Sequence, residues 1–340
     1  MRYTFIIPVY NLANCIEKTL NMLEKAVGRK QEIVVVDDGS TDGTSEILDD
    51  YAKKSSAYKI IHQSNKGVSA ARNAGIEAAT GDYVVFVDGD DECNEQLLRE
   101  LDSCVCNQAS KPDMVVWRYD IMSFDSANED RKVSQCEFAK TDYSGEDFIE
   151  SLLNNENRIR IGSFAVKREL INFNSIRFTE GCAIGEDVEF MYKCALCSNS
   201  VVTSNDVLYT YVRRLGSAMN GNLDMRRFEA PQAMNRVYEW AAASCRDKII
   251  NNAFIMDNLK YGLYITHCMY AFEGCGKYLI SSDIRNKFLE EYYRDYSHVE
   301  KRIVEARKNM HYAPKVFSEK RLRLFLFSRK VYTRYITKRR

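Results

Sequence analysis

Four short polar clusters carry the groups from which chemistry could be built. The most pointed is Asp88-Gly89-Asp90-Asp91. Alternate side chains of an extended segment point the same way, so Asp88 and Asp90 can present two carboxylates to one point. Gly89 keeps the space between them open. Hard cations such as Mg2+ take oxygen ligands, commonly one or two carboxylates plus substrate phosphates. An acidic turn closing a strand would use the same residue types. In the second cluster, Asp37-Asp38-Gly39-Ser40-Thr41-Asp42, Asp38 can accept a hydrogen bond from a base N–H or a ribose hydroxyl, while Ser40 or Asp42 caps the next helix. The third runs from Asn65-Lys66-Gly67 to Arg72-Asn73-Ala74-Gly75. Its small residues suit close helix packing, and Arg72 offers a rigid fork for phosphate or carboxylate, although an Ala-rich packing helix with a solvated Arg has the same composition. The fourth, Gly185-Glu186-Asp187, puts acids where a helix dipole favours them; one of them can also serve as a general base at the rim of a site.

These clusters need a scaffold, and the hydrophobic pattern supplies one. Short apolar runs predict strands over 3–8, 32–36, 58–62 and 83–87. Helical spacing predicts helices over 15–26, from 40 onward with Ile47 and Leu48 inward, and over 69–79. Strands alternating with helices of this length imply a mostly parallel α/β sheet, which binds ligands at the carboxyl ends of its strands. The polar clusters fall at such ends. Further strands are expected over 113–119, 160–167 and 207–213, with helices over 145–154 and 185–198. The polar stretch 123–144 reads as a surface excursion. From about 226 the pattern is helical, so the expected division is 1–220 for the α/β domain and 221–340 for a helical region.

Taken together and in order, Ile6-Ile7-Pro8-Val9-Tyr10-Asn11, the Asp37-Asp38-Gly39-Ser40 turn, the 65–75 segment, Asp88-Gly89-Asp90-Asp91 and Gly185-Glu186-Asp187 resemble the family 2 glycosyltransferases of GT-A fold. The resemblance spans roughly residues 1–220. It implies that Pro8 and Tyr10 line a uracil pocket, with Asp38 bonded to the base and Arg72 near the donor. It further implies that Asp88 approaches ribose and sugar, and that Asp90 binds Mn2+ or Mg2+ bridging the diphosphate. Asp187 would deprotonate the acceptor hydroxyl. Arg213, Arg214 and Ser217 look like the loop that closes over donor phosphates. One base and no enzyme nucleophile imply a single displacement with inversion, so an α-linked UDP-sugar would give a β-linked hexose or N-acetylhexosamine. Related bacterial enzymes of surface-polysaccharide (O-antigen or capsule) assembly suggest a lipid-linked saccharide acceptor.

Composition narrows the alternatives. Hydrophobic residues make up 45% and charged residues 28%, an ordinary globular mixture, with formal net charge zero. The balance hides an asymmetry: residues 315–340 hold ten Lys or Arg against the single Glu319, which makes the tail +9 and the remainder −9. Within the tail Leu324, Phe325, Val331, Tyr332, Tyr335 and Ile336 alternate with basic residues. That is the pattern of a helix lying on an anionic membrane, or of one packed on the protein with a basic outer face. No nucleic-acid-binding module accompanies the charge, which disfavours nucleic acid as a partner. Eleven cysteines without a secretory signal point to a reduced, cytoplasmic setting on the inner face of the membrane, and Cys194 and Cys197 read as packing residues. A nucleotidyltransferase would carry a Gly-rich, basic loop after the first strand, where this chain has Pro8-Val9-Tyr10-Asn11. A non-catalytic carbohydrate-binding or scaffold protein on the same fold would not need both Asp90 and Asp187. Oligomeric state is left open.

Overall fold

A computed structural model describes all residues except 28–30, 109, 126–127, 134–136, 214–223, 246–250, 277, 280 and 339–340; for 124–125, 128–133 and 338 it describes the backbone alone. Two compact units emerge. One comprises residues 1–148, 157–181 and 190–217; the other comprises 149–156, 182–189 and 218–340.

The first unit is built on a mixed sheet. Strands β1 (Tyr3–Val9) and β2 (Glu32–Asp37) are buried along their whole length, as are the residues of β4 (Tyr83–Phe86). Continuous apolar strands of this kind belong to a sheet covered on both faces. β3 (Tyr58–His62), β2, β1 and β4 pair in parallel in the spatial order β3-β2-β1-β4. The covering helices are α1 (Ile16–Val27), α2 (Thr44–Lys54) and α3 (Val68–Ala78). α1 buries Ile16, Leu20, Leu23 and Val27, the i, i+4, i+7, i+11 face expected of an amphipathic helix. α3 presses Ala70, Ala71 and Gly75 inward. Chain order reverses at β1, whose two neighbours are β2 and β4. The carboxyl ends of β1 and β4 therefore flank a topological switch point, where open α/β sheets hold their ligands.

Beyond β4 the sheet continues with β9 (Phe164–Lys167), β6 (Met114–Asp125), β10 (Ser200–Arg213) and the two-residue β5 (Glu92–Cys93). β9 runs antiparallel to β4 and β6, whereas β6 and β10 are parallel to each other. Helices α4 (Leu97–Cys106), α5 (Gly145–Leu153), α6 (Arg168–Phe173) and α7 (Glu186–Cys197) follow in chain order.

Two expectations need correction. The stretch 123–144 is not simply a surface excursion: β6 runs on to Asp125, β7 (Asn128–Val133) pairs antiparallel with it, and β8 (Asp142–Ser144) pairs with β10. Such polar strands form through backbone pairing, which hydrophobic alternation does not report. β10 begins at Ser200, seven residues earlier than its apolar run suggests. Its register shifts between Ser204 and Tyr209, and that irregularity breaks the period-two pattern.

The second unit is mainly helical. Its helices are α8 (Glu229–Ser244), α9 (Ala253–Asp257), α10 (Leu263–Gly276), α11 (Ser282–Asp295), α12 (Ser297–Asn309), α13 (Glu319–Phe327) and α14 (Arg329–Lys338); a π-helical turn, Asn258–Gly262, joins α9 to α10. Phe228, Phe272, Phe288, Tyr292, Phe325 and Tyr332 form its aromatic core, with Phe272 edge-on to Phe325 at 5.6 Å and Phe325 edge-on to Tyr332 at 5.1 Å. Phe325 and Tyr332 are fully buried and Ile336 nearly so. Phe325, Tyr332 and Ile336 of the basic tail are thus turned into the protein, because the helical unit draws core residues from it, while Phe327 and Val331 stay exposed. Among the described residues no helix is long and apolar enough to cross a membrane.

Candidate active site

The loops after β1 and β2 are sewn together by hydrogen bonds. The Asp38 N–H donates to the Val9 carbonyl at 2.8 Å, the Asn11 N–H to Ser40 Oγ at 3.0 Å, and the Thr41 N–H to Asn11 Oδ1 at 2.8 Å. Asn11 takes a left-handed φ of 52°, a conformation Asn tolerates better than most residues. Pro8 is buried within β1, whereas Tyr10 projects at the carboxyl edge with 48% of its surface exposed. The two acids that end β2 behave differently from each other. Asp37 accepts from the Ser40 N–H, Ser45 Oγ and His62. Burial opposes its ionisation, but these hydrogen bonds outweigh burial and hold its pKa below the usual carboxylate range. Asp38 is buried too and accepts from Gln63 Nε2 at 2.7 Å, the Lys66 N–H at 2.9 Å and the Gly67 N–H at 2.7 Å. It pins the segment that leads into α3. A carboxylate has about four acceptor positions, so three protein donors leave it room for one more.

Arg72 emerges from α3 and is 4% exposed. One guanidinium nitrogen donates to Asp88 Oδ1 at 2.8 Å, and its carbon lies 5.3 Å from the Phe178 ring centre. Asp88, at the carboxyl end of β4, keeps 27% of its side chain exposed. The turn that follows lies tight against β1: a Cβ on Gly89 would sit 2.8 Å from Leu12 Cδ1 and 3.3 Å from the Pro8 carbonyl oxygen. A Cβ here would have to displace Leu12 and crowd the Pro8 carbonyl, so Gly89 eases this close approach, a sharper reason than open space between carboxylates. Asp90 is partly exposed. Asp91 turns the other way, 1% exposed, and accepts from the Tyr209 hydroxyl and from the Val212 N–H at 2.8 Å. Burial, with Asp88 and Asp90 beside it, pushes its carboxyl well above the usual range. The sequence motif thus divides into two outward acids and one inward acid that clasps β10. The clasp could not be read from spacing, since Tyr209 lies 118 residues away.

Among the described residues no group of three or more His, Cys, Asp or Glu side chains could hold a metal ion. Asp88 and Asp90 offer at most two carboxylates, and the rest of an octahedral shell would have to come from substrate oxygens and water. That is how Mg2+ is commonly held in phosphate-transferring sites, so the residues present fit a substrate-bridged divalent cation. Arg213, the last residue of β10, is exposed; Arg214 and Ser217 lie outside the described residues.

Asp187 belongs to the helical unit, in the first turn of α7, where its Oδ1 accepts from the Val188 N–H at 2.8 Å. Gly185 precedes it with φ 98°, and a Cβ there would meet the Ala230 backbone at 2.9 Å. The turn is anchored to α8 by Glu189, 1% exposed, whose Oε2 takes both the Arg236 Nε at 2.8 Å and a terminal nitrogen at 2.7 Å. His267 of α10, which the sequence did not single out, titrates below its ordinary value because burial disfavours its cation; the Asp187 charge opposes that shift, so the two groups are within electrostatic reach. Cys194 and Cys197 are buried and unbridged, as packing residues are.

Comparison with known proteins bears out the resemblance. Residues 4–168 match the profile of Glycosyl transferase family 2. Glycosyltransferase GlyG of Streptococcus pneumoniae serotype 4 is 31% identical over 236 residues, covering 65% of this chain and 73% of that protein. TarS residues 1–349 of S. aureus, solved in complex with UDP-GlcNAc, align over 99% of this chain and 88% of that one with a TM-score of 0.66 at 20% identity. The mannosyltransferase PcManGT of Pyrobaculum calidifontis, in complex with GDP-Man and Mn2+, aligns over 90% of this chain and 85% of that one with a TM-score of 0.51 at 20% identity. The fold is of the GT-A type. The chain belongs to the family 2 glycosyltransferases.

Proposed function

We propose that this glycosyltransferase moves a hexose or N-acetylhexosamine from a UDP-sugar to a hydroxyl of a lipid-linked saccharide, with inversion, in surface-polysaccharide assembly. The observation that carries the reading is the pair of outward carboxylates, Asp88 and Asp90, at the carboxyl end of β4, with Arg72 clamped beside them. Pro8 and Tyr10 would border the uracil, with Asp38 holding the loop there and keeping one acceptor position for the base. Asp88 would face ribose and sugar, and Arg213 and Arg214 would cover the diphosphate. The UDP-GlcNAc bound to TarS supports a uridine donor, and the Mn2+ bound to PcManGT supports divalent-metal use.

Asp90, with Asp88, would hold Mn2+ or Mg2+. When bound, the cation neutralises charge that develops on the departing diphosphate. The protein's own part is as follows. Arg72 pairs with Asp88 and fixes its direction. Asp187 takes the proton of the acceptor hydroxyl as that oxygen bonds to the anomeric carbon. The bond from that carbon to the diphosphate breaks on the opposite face, UDP departs with the electron pair, and an α-linked donor gives a β-linked product. Arg72 and Arg213 oppose the developing negative charge electrostatically.

Outward on the tail helices lie Lys320, Arg323, Lys330 and Arg334, with Phe327 73% exposed and Val331 beside them. This face would meet the anionic inner leaflet, where a lipid-linked acceptor resides.

Calorimetric titration of UDP into wild type and Asp90→Ala, with Mn2+ and then with EDTA, tests the proposal. Metal-dependent binding in wild type that Asp90→Ala abolishes is the expected result. UDP affinity indifferent to both metal and mutation would overturn the metal assignment, and no UDP binding at all would overturn the donor.

A further inference from the structure

Arg160 was not among the residues the motifs pointed to. It stands just before a 3-10 turn, Ile161–Ser163, that leads into β9. Its backbone is locked there: its N–H donates to Ser163 Oγ at 2.7 Å, and its carbonyl accepts from the Ser163 N–H at 2.9 Å. β9 runs antiparallel to β4 and β6, pairing Val85 with Ala165 and Val116 with Phe164. Arg160, preceding β9, therefore lies beyond the carboxyl end of β4, the strand end that carries Asp88 and Asp90, and alongside the middle of β6 near Tyr119.

The side chain is held between aromatic faces. Its guanidinium carbon is 4.4 Å from the Tyr211 ring centre and 5.2 Å from that of Tyr119. Tyr211 is also reached by the charges of Asp91 and Asp90. Stacking on two tyrosines fixes the plane of the fork and favours the cation. It supplies no counter-charge. By contrast three arginines meet a carboxylate: Arg72 with Asp88, Arg236 with Glu189 and Arg329 with Glu300. Among the described residues no carboxylate pairs with Arg160; its side chain hydrogen-bonds Tyr119, and its Nε is buried without a partner. A largely buried cation with no carboxylate partner is costly to keep, and an anion supplied by a ligand would relieve that cost.

We infer that Arg160, stacked between Tyr119 and Tyr211, is a seat for a phosphoryl group of a ligand held at the carboxyl edge of the sheet. Guanidinium and phosphate match in bidentate geometry. Two sources share that chemistry: the diphosphate of a nucleotide donor, in which case the inference rests on the proposed function, and a phosphate carried by the acceptor. The inference is independent of Asp187 and adds a contact to those assigned to donor phosphates and metal.

The test uses the full chain as wild type, Arg160→Met and Arg160→Lys. Uridine and UDP are titrated with Mn2+ present, and glycerol 1-phosphate is then titrated into the UDP-saturated protein. If the donor is the source, Arg160→Met weakens UDP about tenfold or more and leaves uridine unchanged, as loss of a charged hydrogen bond predicts. If the acceptor is the source, UDP is unaffected and the glycerol phosphate bound by wild type is lost. Arg160→Lys, which keeps the charge, recovers part of either loss and serves in place of Arg160→Met should the latter fail to fold. Unchanged affinity for UDP and for glycerol phosphate in a folded variant overturns the inference. Absence of UDP binding by wild type instead defeats the donor reading, and the inference then stands or falls on glycerol 1-phosphate titrated into the UDP-free protein and its Arg160→Met variant.

Discussion

Asp187 and Asp38 have the same functional group, yet their surroundings assign them opposite kinds of work. Asp38 is buried and has accepted three protein donors, so most of its capacity goes into shaping the 63–67 segment. Asp187 is partly exposed, with one recorded hydrogen bond, from the adjacent Val188 N–H. A base must present an unencumbered oxygen, and only Asp187 of the two does so. Asp187→Asn keeps the size and the hydrogen bond while removing the basic lone pair. Turnover with a UDP-sugar and acceptor should fall by about 10²- to 10⁴-fold, the usual contribution of general base catalysis. UDP affinity measured by calorimetry should stay at the wild-type value. A variant that turns over at the wild-type rate would remove Asp187 from the reaction.

At the scale of elements, the unit that positions the carboxylates proposed to hold a metal is the clasp between the 88–91 turn and β10. Asp91 takes one hydrogen bond from the Tyr209 ring and one from the Val212 backbone, and its own carbonyl accepts from Thr19 Oγ1 at 3.2 Å. The turn is thereby tied to a strand and to α1 at once. Asp91→Ala strands the Tyr209 hydroxyl and the Val212 N–H, at roughly 1–3 kcal/mol for each buried unsatisfied group. Asp91→Asn can still accept from Val212 through its carbonyl and can donate its amide to the Tyr209 oxygen. Urea unfolding should therefore show a large loss for Asp91→Ala and a small one for Asp91→Asn. Equal losses would mean that packing, not this pair of hydrogen bonds, holds the turn.

At the scale of the molecule, the basic tail combines a structural and an electrostatic part that can be separated. Phe325 lies in the aromatic core of the helical unit, and Phe325→Ala should cost about 3–5 kcal/mol of that unit's stability. Lys320, Arg323, Lys330 and Arg334 are exposed. Replacing all four by Gln should leave the Tm near wild type while weakening co-sedimentation with vesicles rich in anionic lipid, by about 1 kcal/mol per residue removed from the surface. Undiminished co-sedimentation of the neutralised protein would take the membrane role away from this face.

Much of the α/β unit is legible in the sequence. The four N-terminal parallel strands, their covering helices and the placement of acids at strand ends follow from continuous apolar runs and local helix spacing, both of which are short-range properties of the chain. The family followed from the order of the motifs. Other features depended on pairs of residues far apart in sequence. β7 and β8 exist because backbone partners face them; their side-chain pattern does not announce them. Asp91 turns inward because Tyr209 and Val212 wait for it across the sheet. The tail's amphipathic pattern was compatible with a membrane or with the protein's own core; only the fold shows that Phe325 and Tyr332 enter that core while Phe327 and Val331 stay exposed. Arg160 had no motif around it. Its significance arose when β9, β6 and β10 brought two tyrosines to its faces and no acid, a juxtaposition that only the long-range pairing of strands could create.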